Sequence, residues 1–545
     1  MKRWFFICLA LGLAPYAWAQ PAISSNGVVN ATGYQTKVTP DSVFVIFGSG
    51  MGPASLAAGS APNYPTALAG TSITFTPVSG GAAISAKLIY TIAGQVAGLL
   101  PSSIAPGTYA VRVTYNGQTS APQNVTVVAR SFGIATANSS GTGTAQATIG
   151  NVNGGISLVR FTNGSVVFSG FTWTLTPAHP GDTLVLWGTG GGADLANDTG
   201  GTSGDQTAAG NFVVIVGGRR ITPAYAGASS GYPGLWQINF VLPSDIEPGC
   251  FTPVQVSAGG ELGNLASIAI AAAGQAACSD LSVPPEILAK ADAGADMTLG
   301  AIALARLRNT TANATVETAS GWIARTKAAK FVLPVSGPKF GYCHVYDRTF
   351  SVSGLDPSTP DTFLDAGAAL PLSGPGLPQG AAMARGQGIL GPFYGYSATR
   401  PFEAGLHTLT GNGGAQVGAF TVSTNFPASF TVTNWDAITA VDRARSLTIT
   451  WTGSGFQRVT ILATTNARAG SSQRIVNVNC EDMPASLGSY SIPPEALAYL
   501  LPGTALLTVH GINQATFTAP IVGGGQLDLG LFNADLGIEK SVAIQ

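Results

Sequence analysis

Pro40-Asp41-Ser42-Val43-Phe44-Val45-Ile46-Phe47-Gly48-Ser49-Gly50-Met51-Gly52 passes from a polar start through an unbroken apolar run into a glycine-rich turn. Gly181-Asp182-Thr183-Leu184-Val185-Leu186-Trp187-Gly188-Thr189-Gly190-Gly191-Gly192 does the same. A bounded apolar run of this length predicts a strand buried on both faces. A second pair follows in the same order. Leu100-Pro101-Ser102-Ser103-Ile104-Ala105-Pro106-Gly107 is matched by Leu242-Pro243-Ser244-Asp245-Ile246-Glu247-Pro248-Gly249. The offsets are 141 residues at Asp41, 140 at Gly48 and 142 at Leu100. Two ordered matches at nearly one offset mark a duplicated domain.

Strand signals continue outward from these matches. Tyr109, Val111, Val113 and Tyr115 alternate with Ala110, Arg112 and Thr114, so they share one face of a strand, and Asn116-Gly117 predicts a tight hairpin turn. In the second copy, Val254 and Val256 take the inward face and Pro253 predicts an edge or a bulge. The second half is less regular. Val283-Pro284-Pro285 marks a linker, with Glu286 to Lys290 opening a short helix. Phe402 to Leu409, Leu447 to Gly455 and Leu501 to Val509 echo the strand motifs, and Asn425-Phe426-Pro427 marks a boundary. The expected organisation is 1–19 signal peptide, 20–130 first sandwich, 131–280 second, 281–425 a divergent β domain and 426–545 a C-terminal sandwich.

Export is read from the start of the chain. Lys2 and Arg3 precede a short apolar run from Trp4 to Ala14, and Ala17-Trp18-Ala19 gives a small-x-small cleavage pattern, so cleavage is expected between Ala19 and Gln20. The run is too short to span a membrane well. Elsewhere apolar runs are broken, Leu265 to Cys278 included, so no membrane span is expected after cleavage. The product is expected in the periplasm, at the cell surface or in the medium. Charged residues are 9% of the chain and hydrophobic ones 45%, which fits packed domains and not a disordered chain. Without Lys2 and Arg3, 23 basic residues face 26 acidic ones. That balance gives nucleic acid no electrostatic handle.

The mature chain keeps Cys250, Cys278, Cys343 and Cys480, an even number that favours disulfides in an exported protein. Four cysteines allow three pairings. Cys250 lies an even number of residues from Val254 and Val256, so it is placed inward with them. Leu265 to Ile270 return as the partner strand, and Cys278 falls where a Cys250–Cys278 bridge would staple the open end of the hairpin. Cys343 and Cys480 would then join the third domain to the fourth. No C-x-x-C spacing points to zinc.

Gly234-Leu235-Trp236-Gln237-Ile238-Asn239-Phe240, followed by Leu242-Pro243 and Gly249-Cys250, resembles the Solibacter uncharacterized C-terminal domain, a family of secreted acidobacterial proteins, over residues 30–280. The paired motifs also look like immunoglobulin-like sandwiches of the IPT/TIG kind, found in bacterial surface proteins. The resemblance implies an all-β chain of tandem immunoglobulin-like β-sandwich domains. It carries over no catalytic residue, and about half the chain follows the matching domain.

Candidate chemistry is sparse. Gly227-Ala228-Ser229-Ser230-Gly231 matches G-x-S-x-G, but a nucleophile elbow needs a helix next, and Tyr232-Pro233-Gly234 follows. Gly48 to Gly52 and Gly188 to Gly192 suit a phosphate cradle only before a helix N-terminus. Asp194, Asn197, Asp198 and Asp205 offer oxygen ligands for calcium without EF-hand spacing, and a solvated turn is the expectation. His179, His344, His407 and His510 have no metal-ligand spacing. No catalytic, cofactor or metal residue is assigned. The leading expectation is a non-enzymatic extracellular protein, structural, adhesive or binding, whose partner is an extracellular protein or polysaccharide. The alternatives are a glycan-binding accessory protein and a hydrolase in the second half, the latter requiring His344 or His407 beside a carboxylate.

Overall fold

The computed structural model describes residues 20–150, 155–168, 170–280, 283–326, 338–351, 362–388, 391–469 and 472–545. The expected signal peptide, residues 1–19, and with it the Ala19 side of the expected cleavage site, lies outside them. The chain is all-β and is built from immunoglobulin-like sandwiches.

In the first sandwich, Val43–Ser49 pairs with Ala22–Asn30 on one side and Gln95–Leu99 on the other. The facing sheet centres on Gly107–Tyr115, flanked by Thr71–Pro77 and Gln123–Val127. Between them lie Phe44, Ile46, Ile73, Phe75, Val111 and Val113, with the Phe44 and Phe75 rings edge-on at 5.2 Å. Tyr109, Val111 and Val113 all point inward, as their alternation predicts. Asn116 and Gly117 both have positive φ, 47° and 82°, which makes the two-residue turn that matches strand twist.

The second sandwich repeats this plan. Thr183–Thr189 pairs with Trp236–Val241 as Val43–Ser49 does with Gln95–Leu99. Ile104 N donates to Pro101 O at 3.2 Å, and Ile246 N to Pro243 O at 3.1 Å, so the two Leu-Pro-Ser-x-Ile turns are the same turn. The hydrogen bonds also correct the alignment. Asp41 N bonds Leu100 O as Gly181 N bonds Leu242 O. Asp41 therefore corresponds to Gly181, not to Asp182, and both have positive φ, 53° and 90°.

Burial differs between the copies. Val43–Ser49 is covered on both faces, with Phe44 and Ile46 in the main core and Val45 in a small outer cluster with Val29 and Ala97. In Thr183–Thr189 only Leu184 and Leu186 are core residues; Val185 and Trp187 are half-buried on the other face. The expectation that Trp187 is buried is thus corrected. The fully buried tryptophan is Trp236, at 0% exposure.

Cys250 and Cys278 are bridged, and Ala266–Ile270 pairs with Gly249–Ala258 as expected. The register shifts between Gly249 and Thr252, just before Pro253. An extra residue in one strand reverses the facing of what precedes it. Cys250 accordingly leaves the Val254 face and packs with Phe161, Phe251, Ala269 and Leu288. This second cluster also takes Ile287 from the helix Pro285–Asp292.

Residues 281–425 and 426–545 share one sheet, which runs across the boundary expected after Asn425. Met297–Asn309 pairs in parallel with Leu529–Ile544, and Gly503–Phe517 pairs antiparallel with the latter. Two cores sit on this sheet. Phe517, Phe532 and Ala534 belong to one, Leu507, Val509, Val542 and Ile544 to the other. Cys343 and Cys480 face each other on the adjacent strands Cys343–Ser351 and Ser472–Pro484 and are bridged. That bridge staples neighbouring strands of one sheet; it does not join two separate domains.

Candidate functional site

A buried, hydrogen-bonded polar construction lies where the first two sandwiches meet. Asn30, fully buried, donates from Nδ2 to Ser131 O and Thr189 O, both at 3.3 Å. Thr189 Oγ1 accepts from Val43 N at 2.9 Å and donates to Gly234 O at 2.5 Å. Asp198 accepts from Ser102 N at 3.1 Å and Ser102 Oγ at 2.6 Å, while its carbonyl accepts from Lys87 Nζ at 2.6 Å. Trp236 Nε1 donates to Asp41 Oδ2 at 3.3 Å. Burial pushes the Asp41 carboxyl up to about 8, a rise the Trp236 hydrogen bond opposes and the Asp198 and Asp194 charges reinforce.

The Asp194–Asp205 loop is part of this junction. Asp194 is buried and accepts from Ala196 N, Ser203 N and Ser203 Oγ at 3.1, 2.9 and 2.6 Å. Asn197, also buried, donates to Gly201 O and Ser229 O and accepts from Gly234 N at 2.6 Å. Asp205 accepts from Thr207 and Ala226 N, and those hydrogen bonds hold its carboxyl below the usual range. The expected solvated turn is therefore a hydrogen-bonded joint. Among the described residues no three His, Cys, Asp or Glu groups are close enough to hold a metal ion.

The glycine runs are places of close approach. A Cβ on Gly188 would lie 2.0 Å from Gly133 O, and one on Gly191 2.1 Å from Trp236 Cε3. Ser229 follows the strand Tyr225–Ala228, and its N donates to Leu235 O across a turn, so no elbow helix forms there.

The histidines are dispersed. His179 sets Nε2 2.9 Å from Gln275 O and Nδ1 3.5 Å from Asp182 Oδ2, leaving no ring nitrogen for a nucleophile. Both nitrogens of buried His407 lie 3.0 Å from carbonyls, those of Gly405 and Pro375. Buried His344 lies against Phe251 and Tyr346. His510, on the shared sheet, has its Nδ1 shielded, and desolvation lowers its pKa to about 4. Three further carboxyls are raised mainly by desolvation: Asp292 to about 6, Glu481 to about 7 and Asp535 to about 7. Sequence reasoning missed these, because burial of an isolated Asp or Glu leaves no local motif.

The fold places the chain among tandem immunoglobulin-like β proteins. No protein-family model matches it, and no curated protein matches it. Among solved structures it is similar to the Bacteroides ovatus mixed-linkage glucan utilization locus SGBP-B in complex with mixed-linkage heptasaccharide, at 12% identity over 44% of each chain and a TM-score of 0.18. It thus spans less than half the length of that protein. The FN1-FN3 domains of chicken CNTN1 share 9% identity over 95% of this chain and 99% of theirs, TM-score 0.13. Sidekick-1 immunoglobulin domains 1-4 share 8% over 96% and 99%, TM-score 0.11. Likenesses of this size carry no argument about ligand or role.

Proposed function

We propose that the chain is an exported, non-catalytic scaffold that holds binding surfaces at a fixed spacing outside the cell. The junction between the first two sandwiches carries this reading. A domain boundary meant to flex is polar and wet. Here Asn30, Asp41, Thr189 and Trp236 are buried with hydrogen bonds crossing from one sandwich to the other, so bending would strand desolvated donors and acceptors. The next junction is tied likewise. Thr162 N and Oγ1 donate to Asp292 Oδ2 at 2.7 and 3.0 Å, and Lys339 pairs with the nearly buried Asp280 at 2.9 Å. Two disulfides support an oxidising compartment. The family resemblance at residues 30–280 belongs to the same proposal. His407 gives the hydrolase alternative no support, since its nitrogens face carbonyls and not a carboxylate.

Small-angle scattering of the mature chain tests the scaffold. One rigid particle is expected, and Asp198→Ala combined with Thr189→Val should broaden its conformational spread. Wild-type scattering typical of freely jointed domains overturns the reading. N-terminal sequencing of the exported product should begin at Gln20.

A further inference from the structure

In the second sandwich, the larger sheet runs in the order Gly164–Phe168, Phe171–Thr176, Ile156–Val159, Ala147–Gly150, Thr183–Thr189, Trp236–Val241 and Tyr225–Ala228. Its inner face is the core of Ala147, Val159, Leu184, Leu186, Ile238 and Phe240. Unbroken registers put Trp173, Trp187, Tyr225, Gln237 and Asn239 together on the outer face, with Phe171 and Ile156 at its end. None of these side chains belongs to any hydrophobic core of the described residues. Phe171 is 69% exposed and Ile156 57%. The equivalent face of the first sandwich is covered by its own Val29, Val45 and Ala97 cluster, so the difference is specific to the second copy.

The rings lie along the sheet. Trp187 Nε1 donates to Thr148 Oγ1 at 3.0 Å on the neighbouring strand, which ties the half-buried indole to the outer face of the sheet. Tyr225 folds back along its own strand. A Cβ on Gly227 would lie 2.4 Å from Tyr225 Oη, so only glycine leaves room for the ring. The amide group of Gln237 stands beside these rings, paired in register with Trp187 on one side and Gly227 on the other, while Asn239 Oδ1 is shielded from solvent. Trp173 lies three strands and four residue rows from Trp187, about 20 Å by strand geometry.

Charge decides the occupant. Among the described residues Arg160 is the one charged side chain on these strands' outer face, and it is committed to Gln146 Oε1 and Val159 O, both at 2.8 Å; the charges at the sheet's margin are acidic, Asp182 before Thr183–Thr189 and Asp205 on Ala226 N. Such a face has nothing to neutralise an acidic polymer. Half-buried aromatic rings with an amide and hydroxyls between them suit the apolar C–H faces and hydroxyl rims of sugar rings. An aliphatic protein partner would find the same amide desolvated without a partner.

We propose that this face is a binding platform for an uncharged polysaccharide, with Trp187, Tyr225 and Trp173 as stacking surfaces and Gln237 as a hydrogen-bonding group. The assignment rests on the scaffold reading above and names the ligand class of one of its surfaces.

Affinity electrophoresis of the full mature chain tests it, with hydroxyethylcellulose and galactomannan as neutral probes and polygalacturonate and alginate as acidic ones. At least one neutral polymer should retard the protein, and the acidic ones should not. Trp187→Ala and Trp173→Ala should each weaken retardation about tenfold, while Phe393→Ala, on the shared sheet, should not. Gln237→Ala, which removes no ring, should weaken it several-fold and guards against a folding artefact. Retardation by the acidic polymers alone, by none of the four, or undiminished in Trp187→Ala and Trp173→Ala overturns the platform. Scattering by the same samples reads the scaffold separately, since a rigid particle that binds no glycan removes only the ligand class.

Discussion

Trp236 Nε1 donates to Asp41 Oδ2 at 3.3 Å, tying residues 195 positions apart in two copies of one duplicated domain. Asp41 belongs to a motif that marks the duplication and Trp236 to a strand paired with the second copy of that motif, and here the copies are used asymmetrically. Position 41 carries a carboxylate where its equivalent, Gly181, carries none. Asp41 is fully buried, and its Oδ1 accepts no hydrogen bond from a described residue.

That burial fixes a pH dependence. The Asp41 pKa rises to about 8 from an unfolded value of 3.8, so the folded state holds a proton that the unfolded chain releases. Stability from this group is fully present below pH 4 and is lost as pH rises toward 8. At pH 7 the loss is on the order of 4 kcal/mol. Asp41→Asn keeps the shape without the ionisation. Calorimetry should find the variant's melting temperature above wild type at pH 8 and close to it at pH 4. Equal slopes of melting temperature against pH would refute this.

The two tryptophans should separate cleanly. Trp236→Ala empties a site in the core between Phe212 and Gly191 and should cost about 3–5 kcal/mol. Trp187→Ala removes a half-buried ring from the outer face and should cost about 1 kcal/mol, close to the worth of its hydrogen bond to Thr148. Urea unfolding monitored by circular dichroism measures both. Equal losses would return Trp187 to the core.

These positions show where the sequence was readable. The duplication, the Gly107–Tyr115 strand and its Asn116-Gly117 turn follow from alternation and turn chemistry, which are local. The facing of Cys250 was hidden because a bulge adds a residue without changing composition. Trp187 was misread because an apolar run does not say whether anything packs on its second face. The shared sheet was hidden because Met297–Asn309 meets Leu529–Ile544 about 230 residues away, and no local pattern announces a partner. The outer-face platform was illegible for a related reason: its rings come from strands that only register brings together.

The Cys343–Cys480 bridge closes a span of 137 residues. On chain-entropy grounds, cross-links of that span are worth about 4–5 kcal/mol. Replacing both cysteines with serine should lower stability by that order, more than replacing Cys250 and Cys278, whose span is 28 residues. Denaturant midpoints compare the two pairs, and non-reducing peptide mapping should recover both bridges. Four free thiols in exported protein would contradict both.

The last prediction concerns the pH of greatest stability. Besides Asp41, desolvation first of all raises Asp292 to about 6, Glu481 to about 7 and Asp535 to about 7. Each is an acid whose folded pKa lies above its unfolded one, so each loses its stabilising contribution as pH climbs from about 4. His510 acts oppositely. Its pKa falls from 6.5 to about 4, so its contribution is present above pH 6.5 and is lost as pH falls toward 4. Asp205 and Asp365, held low by hydrogen bonds, lose theirs only as pH falls below about 4. Four carboxyls against one imidazole place maximum stability on the acid side of neutrality. Melting temperature should therefore be several degrees higher at pH 5 than at pH 8. Glu481→Gln and Asp535→Asn should each flatten the alkaline fall, and His510→Gln the acid one. A melting temperature that rises from pH 5 to pH 8 would mean these carboxyls are ionised and solvated in the folded protein, and the packing drawn around them would be wrong.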